Sequence, residues 1–147
     1  VTTMHTTGLT DCDLVGRMTL PLSGWTARLH RGGGHLFRLV VDPGGGSPIT
    51  CTLLPQAALG QLVLGAHRAR SARPAVPPAG GTVTLAYGVV PAKPMRLTFL
   101  RYRVWRPAHA RQVRPVVLAD RVWLAEQAGR FDEVQATVSG HTVTRLL

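Results

Sequence analysis

The sequence predicts a mainly β domain. Short runs with period-2 alternation of apolar and polar side chains recur along the chain, Gly- and Pro-rich turns punctuate them, and no long uninterrupted helical pattern competes. At 147 residues, with 45% hydrophobic and 16% charged residues, the chain has the size and apolar content for one folded core.

Leu14–Leu20 forms the first strand by this reading, with Leu14, Met18 and Leu20 on one face and Val15, Arg17 and Thr19 on the other. The turn Pro21–Gly24 lets that strand continue through Trp25–His30, and Arg31-Gly32-Gly33-Gly34 supplies the backbone freedom for a hairpin. His35–Asp42 returns as the second strand, Pro43–Pro48 is a loop, and Ile49–Leu54 is the third strand. Pro55 suits a first helical position, and Ala57, Leu59, Leu62, Val63 and Ala66 share a helical face, which predicts a helix over Gln56–His67 that Gly60 and Gly65 weaken. Residues 68–81 combine Arg68, Arg70 and Arg73 with Pro and Gly and predict a mobile basic loop.

Thr82–Val90 is the fourth strand and Arg96–Arg106 the fifth. Alternation in the fifth places Leu100, Tyr102 and Val104 on a core face and Phe99, Arg101, Arg103 and Trp105 on the opposite one. Pro107–Arg114 is a basic connector, and Val116–Arg130 contains a short helix ended by Gly129, with Trp123 a core residue. Glu133–Val138 and His141–Leu146 form a hairpin across Ser139-Gly140. Residues 1–11 are a polar, Thr-rich frayed end.

The order strand, strand, strand, helix, loop, strand, strand is that of the OB-fold, a five-stranded Greek-key barrel, here over residues 12–106. Residues 107–147 follow as a C-terminal extension of helix and β-hairpin, packed on the barrel or on a partner subunit. Leu14-Val15-Gly16-Arg17-Met18-Thr19 resembles the opening strand of the bacterial single-stranded DNA-binding (SSB) family. Phe37–Val41, Ile49–Leu54 with the following helix, Gly81–Gly88 and Arg96–Trp105 stand where that family has its later elements. The resemblance implies sequence-independent binding of single-stranded DNA in replication, repair or recombination, and a homo-oligomer. By strand position it carries over Arg17, Arg38 and Trp105. The chain departs from the family in having no aromatic ring in the third strand and no acidic tail, since it ends Thr-Arg-Leu-Leu.

Charge supports a polyanionic ligand independently. Lys and Arg number 17 against 7 acids, a net charge of +10, and only Lys93 is a lysine. Guanidinium grips phosphate through two hydrogen bonds and stacks on bases, which an ammonium cannot do. The interface expected on these grounds comprises Arg101, Arg103, Trp105 and Phe99 on the fifth strand, Arg17 and Arg38 as extensions of the groove, Trp25 and Tyr87 as stacking platforms, and Arg68, Arg70 and Arg73 closing over the strand.

Catalysis finds little support. His5, His30, His35, His67, His109 and His141 are scattered, and the acids show no pair spaced for general acid/base or two-metal chemistry. No phosphate loop or nucleophile elbow is present. Cys12 and Cys51 lack zinc-knuckle spacing and read as free thiols. His30 and His35, flanking the glycine turn, lack a third ligand for a metal. No catalytic residue, cofactor, metal or small-molecule substrate is expected. With no apolar run long enough to span a bilayer and no signal-peptide pattern, the expected location is cytoplasmic, without a membrane partner. The ligand could also be RNA, or the arginines could face an acidic protein in a larger complex.

Overall fold

The computed structural model describes residues 14–33, 36–53, 59–71 and 81–147. The polar stretch 1–11, Cys12, His35 and Arg73 lie outside the described residues. The described chain is mainly β: twelve strands in three antiparallel four-stranded sheets.

The front sheet is a meander of β1 (Leu14–Thr19), β2 (Thr26–Arg31), β3 (Phe37–Asp42) and β4 (Ile49–Leu53). The central sheet has the order β5 (Gly65–Arg70), β6 (Thr82–Val89), β10 (Val122–Ala128), β9 (Val116–Leu118). The back sheet has the order β12 (His141–Leu146), β11 (Glu133–Val138), β7 (Met95–Arg103), β8 (Arg106–Val113). Residues beyond the Pro107 boundary therefore supply strands to both the central and the back sheet, interleaved with β6 and β7.

Two hydrophobic cores show how the sheets stack. Leu29, Leu39 and Val41 of the front sheet meet Leu85, Tyr87 and Leu124 of the central one. On its other side the central sheet presents Ala86, Trp123 and Ala125 to Leu97, Phe99, Val134 and Ala136 of the back sheet. The central sheet is thus the middle layer of a sandwich, and β6 is buried from Val83 to Val89 because each alternate set of side chains enters a different core. Small residues fit the second interface: a Cβ on Gly88 would stand 1.9 Å from the Leu62 carbonyl oxygen, the same atom to which the Trp123 indole donates at 2.8 Å. Glu126 of β10 fastens the front sheet by accepting the amides of Leu22 and Ser23 at 2.9 and 2.7 Å.

Several expectations are corrected. No closed barrel forms among the described residues; the strands divide among three open sheets. Trp25–His30 does not prolong the first strand, because Leu20 and Trp25 close a turn and β2 folds back on β1. The helix over Gln56–His67 is replaced, where described, by one 3₁₀ turn at Leu59–Gln61 and then by β5. The reason is Gly65, whose bare Cα takes the ring of Tyr87; a Cβ there would overlap the phenol. β5 also converts the start of the expected basic loop, Arg68–Arg70, into strand; residues 72–80 lie outside the described residues. Pro107–Arg114 is not a connector but most of β8. The helix within Val116–Arg130 is β9 and β10, since a strand covered on both faces has a continuous apolar run that imitates a helix segment. The last hairpin has the expected bounds, and Ser139 and Gly140 have φ of 50° and 82°, as a two-residue turn of this hand requires.

Candidate functional site

The expected interface residues do not share one groove. Phe99 is fully buried and Tyr87 is 1% exposed, so both are core rather than stacking platforms. For Phe99 the expected faces of the fifth strand are reversed: Leu97 and Phe99 point into the second core, while Tyr102 and Val104 are 54% and 77% exposed. Arg17 and Arg38 are exposed on the front sheet, on the face opposite its core and so directed away from the back sheet. Trp25 is half-buried, its ring centroid 5.9 Å from that of His67. Arg68 is engaged: its guanidinium donates to the Phe131 carbonyl at 2.9 and 3.2 Å and pairs with Asp132 at 2.9 Å. Arg70 is exposed at the end of β5.

Arg101, Arg103 and Trp105 do come together, on the β7–β8 hairpin. Every residue from Arg101 to Ala108 is exposed. Pairing runs regularly from Leu97 with Val113 to Arg101 with His109, then shifts, so that Tyr102 faces both Pro107 and Ala108 before Arg103 pairs with Arg106. This bulge accommodates Pro107, which has no N–H for a ladder, and bulges add local twist that turns the strand pair off the sheet. The turn at the tip is Val104-Trp105. Trp105 has φ of 62° and is 98% exposed. For a bulky L-residue the left-handed region costs about 1–2 kcal/mol, and here no packing offsets it.

The base of the hairpin is held firmly. Asp132 accepts the Tyr102 amide at 2.9 Å through one carboxylate oxygen and Arg68 through the other. The Tyr102 hydroxyl donates to Glu133, which, with the negative charge of Glu133 and Asp132 nearby, raises the phenol's pKa. Phe131 stands edge-on to Phe99 at 5.6 Å and stacked on His109 at 6.2 Å. Its amide donates to the buried Thr84 hydroxyl, which in turn donates to the Gly129 carbonyl at 2.9 Å. The nearby acids are thereby occupied, and among the described residues Arg101, Arg103 and Arg106 form no ion pair. The tip is cationic, aromatic and uncompensated.

Arg106 and Tyr102 belong to this feature although the sequence pattern did not single them out. Pro107 suggested a break just where β8 begins, and a turn without Gly, Asn or Asp carries no hairpin signature. The recoverable signal was the palindromic spacing of Arg103 and Arg106 around two apolar residues.

A second cluster lies between the front and central sheets. The His67 Nε2 is 2.8 Å from the Tyr87 hydroxyl, and Cys51 hydrogen-bonds the same phenol. Burial raises the Cys51 thiol pKa and, more strongly, that of Tyr87, while burial and then the Arg145 charge lower that of His67. A thiol held protonated is a poor nucleophile. Among the described residues no three His, Cys, Asp or Glu side chains gather as a metal site. No family model, no curated protein and no solved structure matches this chain.

Proposed function

We propose that the protein is a non-catalytic binder of single-stranded nucleic acid that grips its ligand with the β7–β8 hairpin. The observation that carries this reading is Trp105, 98% exposed at φ of 62° between Arg103 and Arg106. An indole held open in a costly conformation, flanked by cations that have no carboxylate partner among the described residues, has the two elements of sequence-tolerant binding: a stacking ring for bases and guanidinium groups for phosphates. Arg101, Arg103 and Arg106 bind phosphates, Trp105 stacks a base, and the Asp132 anchorage fixes where they stand. The likeness of Leu14–Thr19 to the SSB opening strand supports the ligand class. Arg17 and Arg38, on the far face of the front sheet, are outside this grip.

The test is a fluorescence titration with oligothymidine. Of the three tryptophans, Trp123 is buried and Trp25 half-buried, so quenching reports chiefly on Trp105. Expected are quenching, affinity that falls steeply with salt, and a loss of about tenfold or more for Trp105→Ala, from about 1–3 kcal/mol per stacked base. Absence of binding at low salt rejects the reading. Val104, 77% exposed beside Trp105, favours a second reading in which the tip docks on an acidic protein. Binding of an acidic polypeptide with no affinity for oligothymidine selects that one, and competition by RNA or duplex DNA defines the nucleic acid preferred.

A further inference from the structure

Among the described residues β12 is an unpaired edge of the back sheet, and the turn before it sets which backbone groups face outward. In a two-residue hairpin the residues flanking the turn exchange hydrogen bonds, here Val138 and His141, and so do every second pair after them, Ala136 with Val143 and Val134 with Arg145. The Leu147 amide keeps this phase by donating to Asp132 at 3.1 Å. The N–H and C=O groups of Thr142, Thr144 and Leu146 therefore point away from β11. All three residues are exposed, Leu146 by 69%.

An unpaired strand edge is a template for another strand, and proteins usually blunt it with charge, proline, bulges or short length. Most other edges show these devices: β8 has Pro107, a bulge, Arg106 and Arg111; β5 has Arg68 and Arg70; β1 has Arg17 and an irregularity between Leu14 and Gly16; β9 is 3 residues long. β4, 5 residues long, carries none within the strand. β12, His-Thr-Val-Thr-Arg-Leu, has none beyond the lone Arg145, whose guanidinium reaches inward to the Val63 carbonyl at 3.4 Å.

We propose that β12 pairs antiparallel with β12 of a second copy about a two-fold axis at Thr144, joining the two back sheets into one. This register engages every outward-facing group of the strand. It sets Thr144 opposite Thr144 of the partner subunit, Thr142 opposite Leu146 of the partner subunit, and Arg145 opposite Val143 of the partner subunit. In a chain of net charge +10, self-association needs a seam where cations are not directly opposed, and this register provides one. An axis at Arg145 would oppose two guanidinium groups and would pair only Thr144 and Leu146 across the seam, leaving the outward groups of Thr142 unengaged.

Sedimentation or light scattering of the full chain, without nucleic acid, tests this independently of the ligand. A dimer is expected, strengthened by moderate salt that screens the net charge, whereas salt weakens nucleic-acid binding. Thr144→Pro removes an outward N–H without touching the β11 ladder and abolishes the dimer. Thr144→Lys opposes two ammonium groups and weakens it about fivefold or more. Because proline could disturb folding, the decisive arm mixes T144K with T144E: each alone dimerises more weakly than wild type, and the mixture recovers a heterodimer. A wild-type monomer at the highest soluble concentration overturns the proposal, as does a dimer indifferent to both charge variants or restored by no mixing.

Discussion

Trp123 and Trp105 are the same residue in opposite circumstances. Trp123 lies in the second core, 1% exposed, its indole donating to Leu62; Trp105 stands at a hairpin tip, 98% exposed, with a strained backbone. Each local choice around Trp123 supports the fold: Gly88 clears space for the ring, Ala86 and Ala125 let the sheets approach, and the N–H has its acceptor. Around Trp105 the choices run against the fold, since a bulky ring takes a position suited to Gly or Asn and buries almost nothing. Where local chemistry contradicts stability without compensation, a function outside the folded chain is the economical explanation.

Trp123→Ala should destabilise the protein by about 3–5 kcal/mol, through lost burial, a cavity between the central and back sheets and an orphaned Leu62 carbonyl. Chemical denaturation reads this directly. Trp105→Ala in the same assay should lie within about 0.5 kcal/mol of wild type. Equal losses for the two variants would mean that the hairpin tip packs on the body.

How far each region is legible in sequence follows the same division. β11 and β12 were readable because Ser139-Gly140 supplies the positive φ values that the turn needs and the flanking residues alternate. β1, β3, β4 and β6 were readable within a residue or two. β10 was not, since burial on both faces erases the period-2 signal and leaves a run that resembles a helix. β5 was lost to a pairing imposed from outside the segment: Gly65 matters only because Tyr87, distant in sequence, rests on it. For the site, composition and the Arg101, Arg103 and Trp105 spacing singled out residues that lie on the hairpin, but read them as one unbroken strand, and alternation alone assigned its faces backwards. The bulge at Pro107 is invisible without the partner strand, and exposure there depends on where the central sheet ends, which no local pattern records.

The anchorage of the tip gives the next effect. Asp132→Ala removes the acceptor of the Tyr102 amide and the partner of Arg68, at a cost of about 1–2 kcal/mol, discounted because the ion pair is about a third exposed. Hydrogen exchange should then accelerate at Tyr102 and along the start of β8, while β11–β12 remains protected. If the two hairpins of the back sheet lost protection together, the tip would not be separately anchored.

Trp105→Gly relieves the left-handed backbone and should stabilise the protein by up to about 1 kcal/mol, while abolishing oligonucleotide quenching and weakening binding. A rise in midpoint joined to a loss of affinity marks a residue kept for its ligand. A fall in stability would show that the indole contributes to the fold after all.

Trp25 stands between these extremes, half-buried against His67, and yields the smallest effect expected. His67 meets the Trp25 ring, the Tyr87 hydroxyl and the field of Arg145. Burial, then Arg145, lowers its pKa below the ordinary value of 6.5. The unfolded chain therefore takes up this proton at a pH where the native imidazole is still neutral, so the stabilisation is complete above about pH 6.5 and is lost as pH falls through the lower folded value. Thermal midpoints compared at neutral pH and near pH 5 should drop more in wild type than in His67→Gln. An identical drop in the two proteins would remove His67 as the cause.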